Sequence, residues 1–425
     1  MTRTFALKGN IIYSKNQNEL NFFENSYLIC KDGFSMGVFE KLDEKYKDIE
    51  VIDFGEKIIC PGLTDLHIHA PQYNFRGMGM DLELLDWLNT YTFPSEAKFK
   101  DENYAKKSYQ RFVDYLKYGP NTRHVIFSSL HVKSTQILMD LMEESKMVSF
   151  VGKVNMDRNG GVNLEEKDAE ESEKATIKWL ENIKGKYKNT YPILTPRFIP
   201  SCTDELLEKL RKIKDDYNLP IQSHLSENLG EIEWVKQLVP KAKFYGDAYD
   251  IFDLFGKKNK TVMAHCVYSN KDEEDLIKEN GVFIAHCPDS NTNLTSGIAP
   301  AGKYLREGQK IGLGSDVAGG THASIFKAMA DAIKVSKLRY RLLDEKIKPL
   351  SLEEAFYMGT LGGGEFFGKV GSFEKGYEFD AIIIDDEKLL EEDKFNLKQR
   401  LERIVYLSKD EDIVSKFVRG VKIFW

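Results

Sequence analysis

The middle of the chain alternates between short apolar runs and charged segments, and no other pattern in the sequence restricts the fold as strongly. Short apolar runs of strand character recur eight times, and charged segments with apolar residues at helical spacing separate them. The clearest helical segments are 166–188, 204–217 and 271–280. Eight strands alternating with helices predict an α/β fold, a (β/α)₈ TIM-like barrel. The eight predicted strands are 58–66, 122–129, 147–155, 191–198, 219–225, 261–266, 281–287 and 310–316.

The two ends of the chain differ from this middle part. Both are rich in short β segments separated by turns, and near the C-terminus these segments are 380–385, 403–407 and 417–425. We therefore expect one small β-sandwich domain formed by both chain ends. The predicted domains are residues 1–60 plus 366–425 for the small domain, and residues 61–365 for the barrel.

Histidines and one aspartate stand near the ends of several predicted strands. His67 and His69 are two residues apart, and in an extended strand such residues point to the same face. The C-terminal strand ends of a barrel meet at one mouth. The pattern predicts a metal site there, and neutral imidazole suits zinc, iron, copper or nickel. The other residues expected at this mouth are His224, His265, His286 and Asp316.

The composition argues against several classes of function. The 425 residues carry a formal net charge of −7, which gives no basic footprint for nucleic acid. The N-terminus has no apolar signal segment, and no run approaches the ~20 apolar residues that span a membrane. Five cysteines without framework spacing agree with a reducing compartment. We expect a cytoplasmic enzyme with no membrane or nucleic-acid partner.

The residues at the strand ends carry a resemblance to a known family. The run Pro61-Gly-Leu-Thr-Asp-Leu-His67-Ile-His69, single histidines after strands five and six, and Asp316 after strand eight resemble the amidohydrolase superfamily over nearly the whole chain. Within it, the chain most resembles the guanine deaminase family. The motifs that carry this are His69-Ala-Pro-Gln72-Tyr, residues 81–94, Thr195-Pro-Arg197-Phe198, Ser223-His224-Leu-Ser-Glu227-Asn, Ala285-His286-Cys-Pro-Asp-Ser-Asn291 and Gly314-Ser-Asp316-Val-Ala-Gly-Gly320.

The resemblance implies one zinc ion per chain, although iron suits the same ligand set. It implies that Glu227 carries protons between water, a ring nitrogen and the leaving amine, and that Asp316 also acts as a base. His265 is expected to hydrogen-bond the attacking oxygen and to stabilise developing charge. The alternative for Glu227 is a solvated position at a helix N-terminus. The implied catalytic residues are Glu227, His265 and Asp316, and the implied zinc ligands are His67, His69, His224 and Asp316.

Substrate recognition is assigned by the same resemblance to Gln72, Arg197 and Phe198, with Glu227 at the reacting atoms. A carboxamide offers both a donor and an acceptor, and a guanidinium offers donors in a fixed fork, which suits the edge of a purine. The implied reaction is the hydrolytic deamination of guanine to xanthine and ammonia in purine salvage or catabolism. Adenine lacks the carbonyl, so we expect it to be a poor substrate. From the residues alone, Arg197 could equally form a surface salt bridge.

Other residues near the strand ends are expected to have structural roles. Cys266 and Cys287 each follow a site histidine, so their side chains should point away from the mouth. His286 should hydrogen-bond around the site rather than bind the metal. Lys153 lies on the third predicted strand, not the fourth, which argues against a lysine bridging two metals. The apolar stretch 78–88 is expected to form a lid, a subunit contact or plain helix core.

Two other functions stay open at this point. A related aminohydrolase or chlorohydrolase would act on another heterocycle, such as a pterin, a cytosine-like base or a triazine. Activity that survived replacement of Gln72 and Arg197 would favour it. A non-catalytic barrel that serves as an interaction surface is the second alternative, and purified protein without metal would favour that. A homodimer is expected from the family resemblance alone.

Overall fold

The computed structural model describes residues 4–161, 164–390 and 394–424. Among the described helices, none combines the length and the apolar character needed to span a bilayer. The strands are β1 (Thr4–Asn16), β2 (Glu19–Lys31), β3 (Phe34–Phe39), β4 (Glu50–Pro61), β5 (Leu63–His69), β6 (Asn121–Phe127), β7 (Val148–Gly152), β8 (Val154–Asn155), β9 (Thr190–Pro192), β10 (Thr195–Pro196), β11 (Ile221–Leu225), β12 (Thr261–His265), β13 (Phe283–His286), β14 (Lys310–Leu313), β15 (Ala381–Ile384), β16 (Ile413–Val418) and β17 (Val421–Phe424). The α-helices are α1 (Leu84–Trp87), α2 (Phe93–Glu96), α3 (Glu102–Tyr118), α4 (Val132–Ser145), α5 (Ala169–Ile183), α6 (Asp204–Tyr217), α7 (Leu229–Leu238), α8 (Tyr245–Asp250), α9 (Lys271–Asn280), α10 (Pro288–Asn293), α11 (Ala301–Arg306), α12 (Ile325–Leu342), α13 (Leu352–Tyr357), α14 (Glu387–Leu390) and α15 (Leu397–Leu407).

The central part of the chain forms a barrel of parallel strands. Two four-stranded sheets, ordered β5-β6-β7-β9 and β11-β12-β13-β14, are accompanied by the short pair β8 and β10. A bridge between Leu194 and Ile221 joins one sheet to the other. On the opposite side, the backbone N–H of Asp316 donates to the carbonyl of His67 at 2.8 Å. These contacts close the ring, so the predicted TIM-type barrel is confirmed.

Two of the predicted barrel strands are interrupted. The predicted strand 147–155 forms as β7 and β8, with Lys153 between them. The predicted strand 191–198 forms as β9 and β10, and each piece ends on a proline, Pro192 and Pro196, which has no N–H to donate to a neighbouring strand. The barrel therefore keeps eight strand positions, but two of them consist of short pieces.

Both chain ends contribute to one seven-stranded sheet, in the order β17-β16-β15-β4-β1-β2-β3. Strand β15 pairs antiparallel with β4 and places Ile382 opposite Cys60, directly before the first barrel strand. Phe5, Phe379 and Phe417 pack together in the core of this sheet. The two-layer form of a sandwich and the domain boundaries stay predictions. Residues 1–3, 391–393 and 425 of the predicted small domain lie outside the described residues.

The strand predicted at 403–407 is wrong, because this segment lies in α15. The side chain of Asn396 accepts from the backbone N–H of Gln399 at 3.0 Å, and the Gln399 side chain accepts from the N–H of Asn396 at 3.0 Å. This reciprocal capping box starts a helix. Leu401 and Ile404 are buried at helical spacing. The apolar run is therefore the buried face of a helix.

Candidate active site

The C-terminal ends of the barrel strands bring the predicted site residues to one mouth. His67 and His69 lie at the end of β5, and His224 lies on β11. His265 is the last residue of β12, and Asp316 follows β14 by three residues. All of these side chains are buried except His224, which is partly exposed. Local strand geometry and barrel topology together account for this convergence.

The backbone at this mouth departs from relaxed geometry at two of the same positions. His265 has a φ of 77° and Asp316 a φ of 48°, which lie in the left-handed region that favours glycine. Such strain costs of order 1–3 kcal/mol per residue and tends to cluster at functional sites. The two side chains are therefore held in place by the surrounding fold at some cost in stability.

The imidazoles of three histidines point their Nε2 atoms toward one another. The Nε2 atoms of His67 and His69 lie 3.2 Å apart, and those of His69 and His224 lie 3.3 Å apart. Asp316 Oδ1 lies 3.2 Å from His67 Nε2 and 3.4 Å from His69 Nε2. Tetrahedral bonds of about 2.1 Å place two ligand atoms about 3.4 Å apart. These four distances are those expected between neighbouring ligands of one metal ion.

Hydrogen bonds and burial prepare these imidazoles to bind a cation. The Nδ1 of His224 lies 2.6 Å from the carbonyl oxygen of Arg197, so Nδ1–H donates there and the Nε2 lone pair faces the mouth. Burial lowers the pKa of His69 to about 4 and that of His224 well below its usual value. Both rings are therefore neutral at pH 7, and neutral imidazole is the form that binds metals.

Glu227 is a buried carboxyl beside this cluster. Its Oε1 accepts from the hydroxyl of Ser296 at 2.9 Å, and its Oε2 lies 3.2 Å from His265 Nε2. Burial, followed by the charge of Asp316, raises the pKa of Glu227 to about 8. The backbone N–H of Glu227 donates to Glu231 Oε2 at 3.1 Å. A solvated position at a helix N-terminus does not describe this residue, because only 3% of it is exposed.

His265 faces the carboxylates of the mouth from β12. Its Nδ1 lies 2.8 Å from Asn291 Oδ1, and its Nε2 lies 3.8 Å from Asp316 Oδ2. His67, His265 and Asp316 also lie close enough to one another to share a cation. The contact with Asn291 holds the ring so that Nε2 faces the place where Glu227 and Asp316 converge.

The two polar residues predicted to recognise a substrate are buried side by side. Arg197 donates from Nη1 to Glu96 Oε2 at 2.6 Å and from Nη2 to Glu96 Oε1 at 3.1 Å. Gln72 Nε2 donates to the same Oε1 at 2.8 Å. Arg197 is 3% exposed, so the alternative of a surface salt bridge does not hold. Gln72, Arg197 and Phe198 line one cavity with three of the candidate metal ligands, His69, His224 and Asp316.

The cavity is small, and the volume open to water inside it is about 30 Å³. Its apolar wall includes Leu84, Trp87 and Leu88 from the stretch predicted to be a lid, together with Leu294. Met78 is 48% exposed and lies outside this wall. The stretch therefore divides between cavity wall and surface. Closure over a substrate stays a prediction.

Several residues singled out in the sequence lie outside the cavity. Cys266 and Cys287 are fully buried and do not line it. Lys153 donates to Glu166 Oε1 at 2.5 Å, so its ammonium is paired with a carboxylate. His286 does not form the hydrogen bonds expected of it, because neither of its ring nitrogens has a partner among the described residues.

Sequence patterns gave no role to four residues that hold the site together. These are Glu96, Glu231 and Ser296, which lie in none of the catalytic or binding motifs, and Asn291, which lies in one without an implied role. Their side chains come from short helices and connecting segments without a periodic pattern. Glu96 lies 101 residues before the arginine that it binds. For Glu96 the only local signal is an acidic residue beside apolar neighbours, which is weak, whereas Glu231 stands three residues after Asn228 in the spacing of a capping box.

Comparison with known proteins places this site in a family. The profile described as "Amidohydrolase family" matches residues 58–423. The chain is 37% identical to the guanine deaminase of Dictyostelium discoideum, over 98% of this chain and 97% of that protein. It is 39% identical to the guanine deaminase of Mus musculus, over 90% and 87% respectively. The crystal structure of guanine deaminase from C. acetobutylicum with bound guanine in the active site has a TM-score of 0.96 and 47% identity, covering 100% of both chains.

The family profile spans most of the chain, and the relatives align over nearly all of it. The same residues that converge at the barrel mouth are those on which the sequence resemblance was based. This chain therefore belongs to the amidohydrolase family and, within it, to the guanine deaminases.

Proposed function

We propose that this chain catalyses the hydrolytic deamination of guanine to xanthine and ammonia. One observation carries the proposal: a single cavity is lined by three of the four proposed metal ligands, a buried carboxyl and the predicted purine-binding residues. The relatives that align over nearly the whole chain are named guanine deaminases. The reaction adds water across the bond between C2 and the ring nitrogen N3 of guanine and releases the exocyclic amine from C2, so two protons must be moved during each turnover.

The metal-binding residues in this proposal are His67, His69, His224 and Asp316, with one zinc ion per chain. Three neutral imidazole nitrogens and a carboxylate match the donors that zinc prefers, and iron suits them as well. A bound zinc ion supplies Lewis-acid activation of water, lowering the pKa of that water to about 7. The spacing of the four side chains supports this assignment.

Glu227 is the residue that moves protons. A carboxyl with a pKa of about 8 can both accept and release a proton near neutral pH. We assign it the transfer of one proton from water to a ring nitrogen of guanine and of the next proton to the departing amine. Ser296 Oγ donates to Glu227 Oε1 and so directs the other oxygen toward the mouth.

His265 and Asp316 act on the oxygen that adds to the ring. His265 is oriented by Asn291, and its Nε2 faces both Glu227 and Asp316. A hydrogen bond from His265 would stabilise negative charge on that oxygen as the tetrahedral carbon forms. As the carbonyl at C2 forms, Asp316 accepts the second proton of the added oxygen, and this is the proton that Glu227 passes to the departing amine. These roles match the catalytic residues that the family resemblance implies.

Gln72, Arg197 and Phe198 recognise the purine. Gln72 presents an amide and Arg197 a guanidinium on the cavity wall, and these groups complement a carbonyl and ring nitrogens. Phe198 lines the same cavity, with its ring centroid 6.5 Å from that of His224. Buried donors that lose their acceptor are costly, so rings without a carbonyl should be rejected.

Three further properties belong to the proposal. We assign residues 1–60 plus 366–425 to a small β-sandwich domain and residues 61–365 to the barrel. We also propose a homodimer, as expected for the family, and a cytoplasmic location, which agrees with cysteines that lack framework spacing. The sheet shared by both chain ends supports the domain division.

The test is ammonia release from guanine, adenine, cytosine and a pterin, using protein whose metal has been counted by elemental analysis. The expected result is release from guanine alone with about one zinc per chain. Release only from another ring would overturn the assignment of guanine as the substrate, but it would agree with hydrolytic deamination as the reaction. A filled metal site with no release from any of the four compounds would overturn the deaminase assignment.

A further inference from the structure

Glu96 is a buried carboxylate that stands behind the purine-binding residues. It is the last residue of α2, is 1% exposed and does not line the cavity. Its Oε1 accepts from both Gln72 Nε2 and Arg197 Nη2, and its Oε2 accepts from Arg197 Nη1. One carboxylate therefore holds both polar residues of the substrate wall.

The contact with Glu96 determines which way the Gln72 amide points. A carboxylate only accepts hydrogen bonds, so the Nε2 end of the amide must face Glu96. At the other end, Gln72 Oε1 accepts from the backbone N–H of Ala318 at 3.1 Å, and a backbone N–H only donates. The reversed amide would lose both bonds. Gln72 thus offers its remaining N–H and its remaining lone pair in fixed directions.

Arg197 is held in the same way. One hydrogen on each Nη is used by Glu96, which leaves Nε–H and one hydrogen on each Nη for other acceptors. The backbone carbonyl of Arg197 accepts from His224 Nδ1 at 2.6 Å. Arg197 is therefore held at both ends: its guanidinium binds Glu96, and its backbone carbonyl binds the candidate metal ligand His224. This fixes its donors relative to the place where the ring would react.

We propose that Glu96 is a positioning residue for substrate recognition, which sets the directions of the donors and acceptors that Gln72 and Arg197 present to the purine carbonyl edge. This inference rests on the proposed function. Glu96 acts through the two residues that it holds and does not itself touch the substrate. A merely structural ion pair would support the fold but would not discriminate between purines.

The variant Glu96→Gln keeps the size of the side chain and removes its acceptor-only character. The new amide N–H₂ would face donors of Gln72 or Arg197, so the pattern of hydrogen bonds must change. The probes are two unreactive ligands, hypoxanthine, which has the carbonyl, and purine, which lacks it. We expect the inhibition constant of hypoxanthine to rise by about tenfold or more, and that of purine to change by less than threefold. KM for guanine should rise by a similar factor to the inhibition constant of hypoxanthine.

A matched control exists outside the cavity. Glu354 is also buried and accepts from Arg306 Nε and Nη2 at 2.7 Å each. The variant Glu354→Gln makes the same chemical change in a similar ion pair and should leave both inhibition constants unchanged. Glu96→Asp keeps an acceptor-only carboxylate but shortens its reach. We expect it to retain part of the preference for hypoxanthine over purine that Glu96→Gln loses.

The outcomes separate this inference from the proposed function. Wild-type protein that releases no ammonia from guanine would refute the proposed function, whatever the variants do. Active wild-type protein, combined with equal weakening of hypoxanthine and purine in Glu96→Gln, would overturn the positioning role. Should Glu96→Gln not fold, Glu96→Asp decides alone. An unchanged ratio of the two inhibition constants in that variant would then overturn the inference.

Discussion

Burial acts in opposite directions on the two kinds of titratable residue at the mouth. It lowers the pKa of His69 to about 4, because an apolar surrounding disfavours the charged imidazolium. The same burial, followed by the charge of Asp316, raises the pKa of Glu227 to about 8. At neutral pH the imidazole is free to bind a cation, while Glu227 can hold a proton. One physical cause thus separates the candidate metal-binding residues from the carboxyl that we propose moves protons.

Replacing Glu227 with Gln preserves the size of the side chain and removes its exchangeable proton. We expect kcat for guanine to fall by about 10²- to 10⁴-fold, the usual contribution of a general acid–base group. The zinc content should stay at the wild-type value, because Glu227 lies outside the groups of possible metal-binding atoms. Steady-state kinetics and elemental analysis of one preparation check both points. A rate within tenfold of wild type would argue against the assigned role.

At the scale of single elements, the site residues on β5 could be predicted from the sequence, whereas the residue on α2 could not. His67 and His69 were predictable because alternation along a strand is local, and because barrel topology brings strand ends together. Glu96 was not predictable, because its contact with Arg197 depends on the path of the whole segment after β5. The apolar run 403–407 suits a strand or a helix. The capping residues Asn396 and Gln399 favour the helix, and they lie outside the run.

The start of α7 supports the position of Glu227. Asn228 is the N-cap of this helix, and its side chain accepts from the backbone N–H of Gly230 at 2.8 Å. Glu231 completes the capping box, and its Oε2 accepts from the backbone N–H groups of Asn228 and Glu227. The N-cap of the helix and the backbone of Glu227 are thus held by one carboxylate.

Replacing Asn228 with Ala tests this coupling. Loss of an N-cap side chain costs about 1 kcal/mol, so the denaturation midpoint should fall modestly. We also expect kcat to fall several-fold, because Glu227 directly precedes the loosened cap. Asn396→Ala is the matched control, since Asn396 caps α15 with the same capping box away from the cavity. Equal kinetic changes in both variants would refute a specific coupling between the cap and the site.

At the scale of the whole molecule, the candidate metal ligands come from separate parts of the barrel. His67 and His69 belong to one four-stranded sheet, His224 belongs to the other, and Asp316 follows the last strand. A bound ion would therefore connect the two halves of the ring, and binding to the native state alone stabilises that state.

Removal of the metal with a chelator should lower the thermal denaturation midpoint as well as the activity. Saturation at about 1,000 times Kd contributes about 4 kcal/mol to the native state. Scanning calorimetry at a fixed heating rate, before chelation and after zinc is restored, checks this expectation. The variant His224→Ala provides the control, because its midpoint should no longer respond to the chelator. An unchanged wild-type midpoint after complete removal of zinc would contradict this link between the two halves.

Lys416 joins the seven-stranded sheet to the barrel. It lies on β16, and its buried ammonium donates to the carbonyls of Leu116 at 3.0 Å and Asn121 at 2.9 Å. Burial lowers its pKa to about 7, against 10.5 for the ordinary side chain. Between these two values the unfolded chain binds a proton that the folded chain does not. The contribution of Lys416 to the free energy of unfolding therefore increases as pH rises through this window.

The variant Lys416→Met removes this titration and leaves the two carbonyls without their donor, which is a pH-independent cost. We expect the stability of the wild type relative to the variant to rise between about pH 7 and pH 10, by up to about 4 kcal/mol. Below pH 7 the difference should be constant, because the lysine is then protonated in both states. Urea denaturation midpoints of both proteins across this range check the slope. Parallel curves would mean that the buried ammonium keeps its ordinary pKa, and that the junction between sheet and barrel accommodates a full charge.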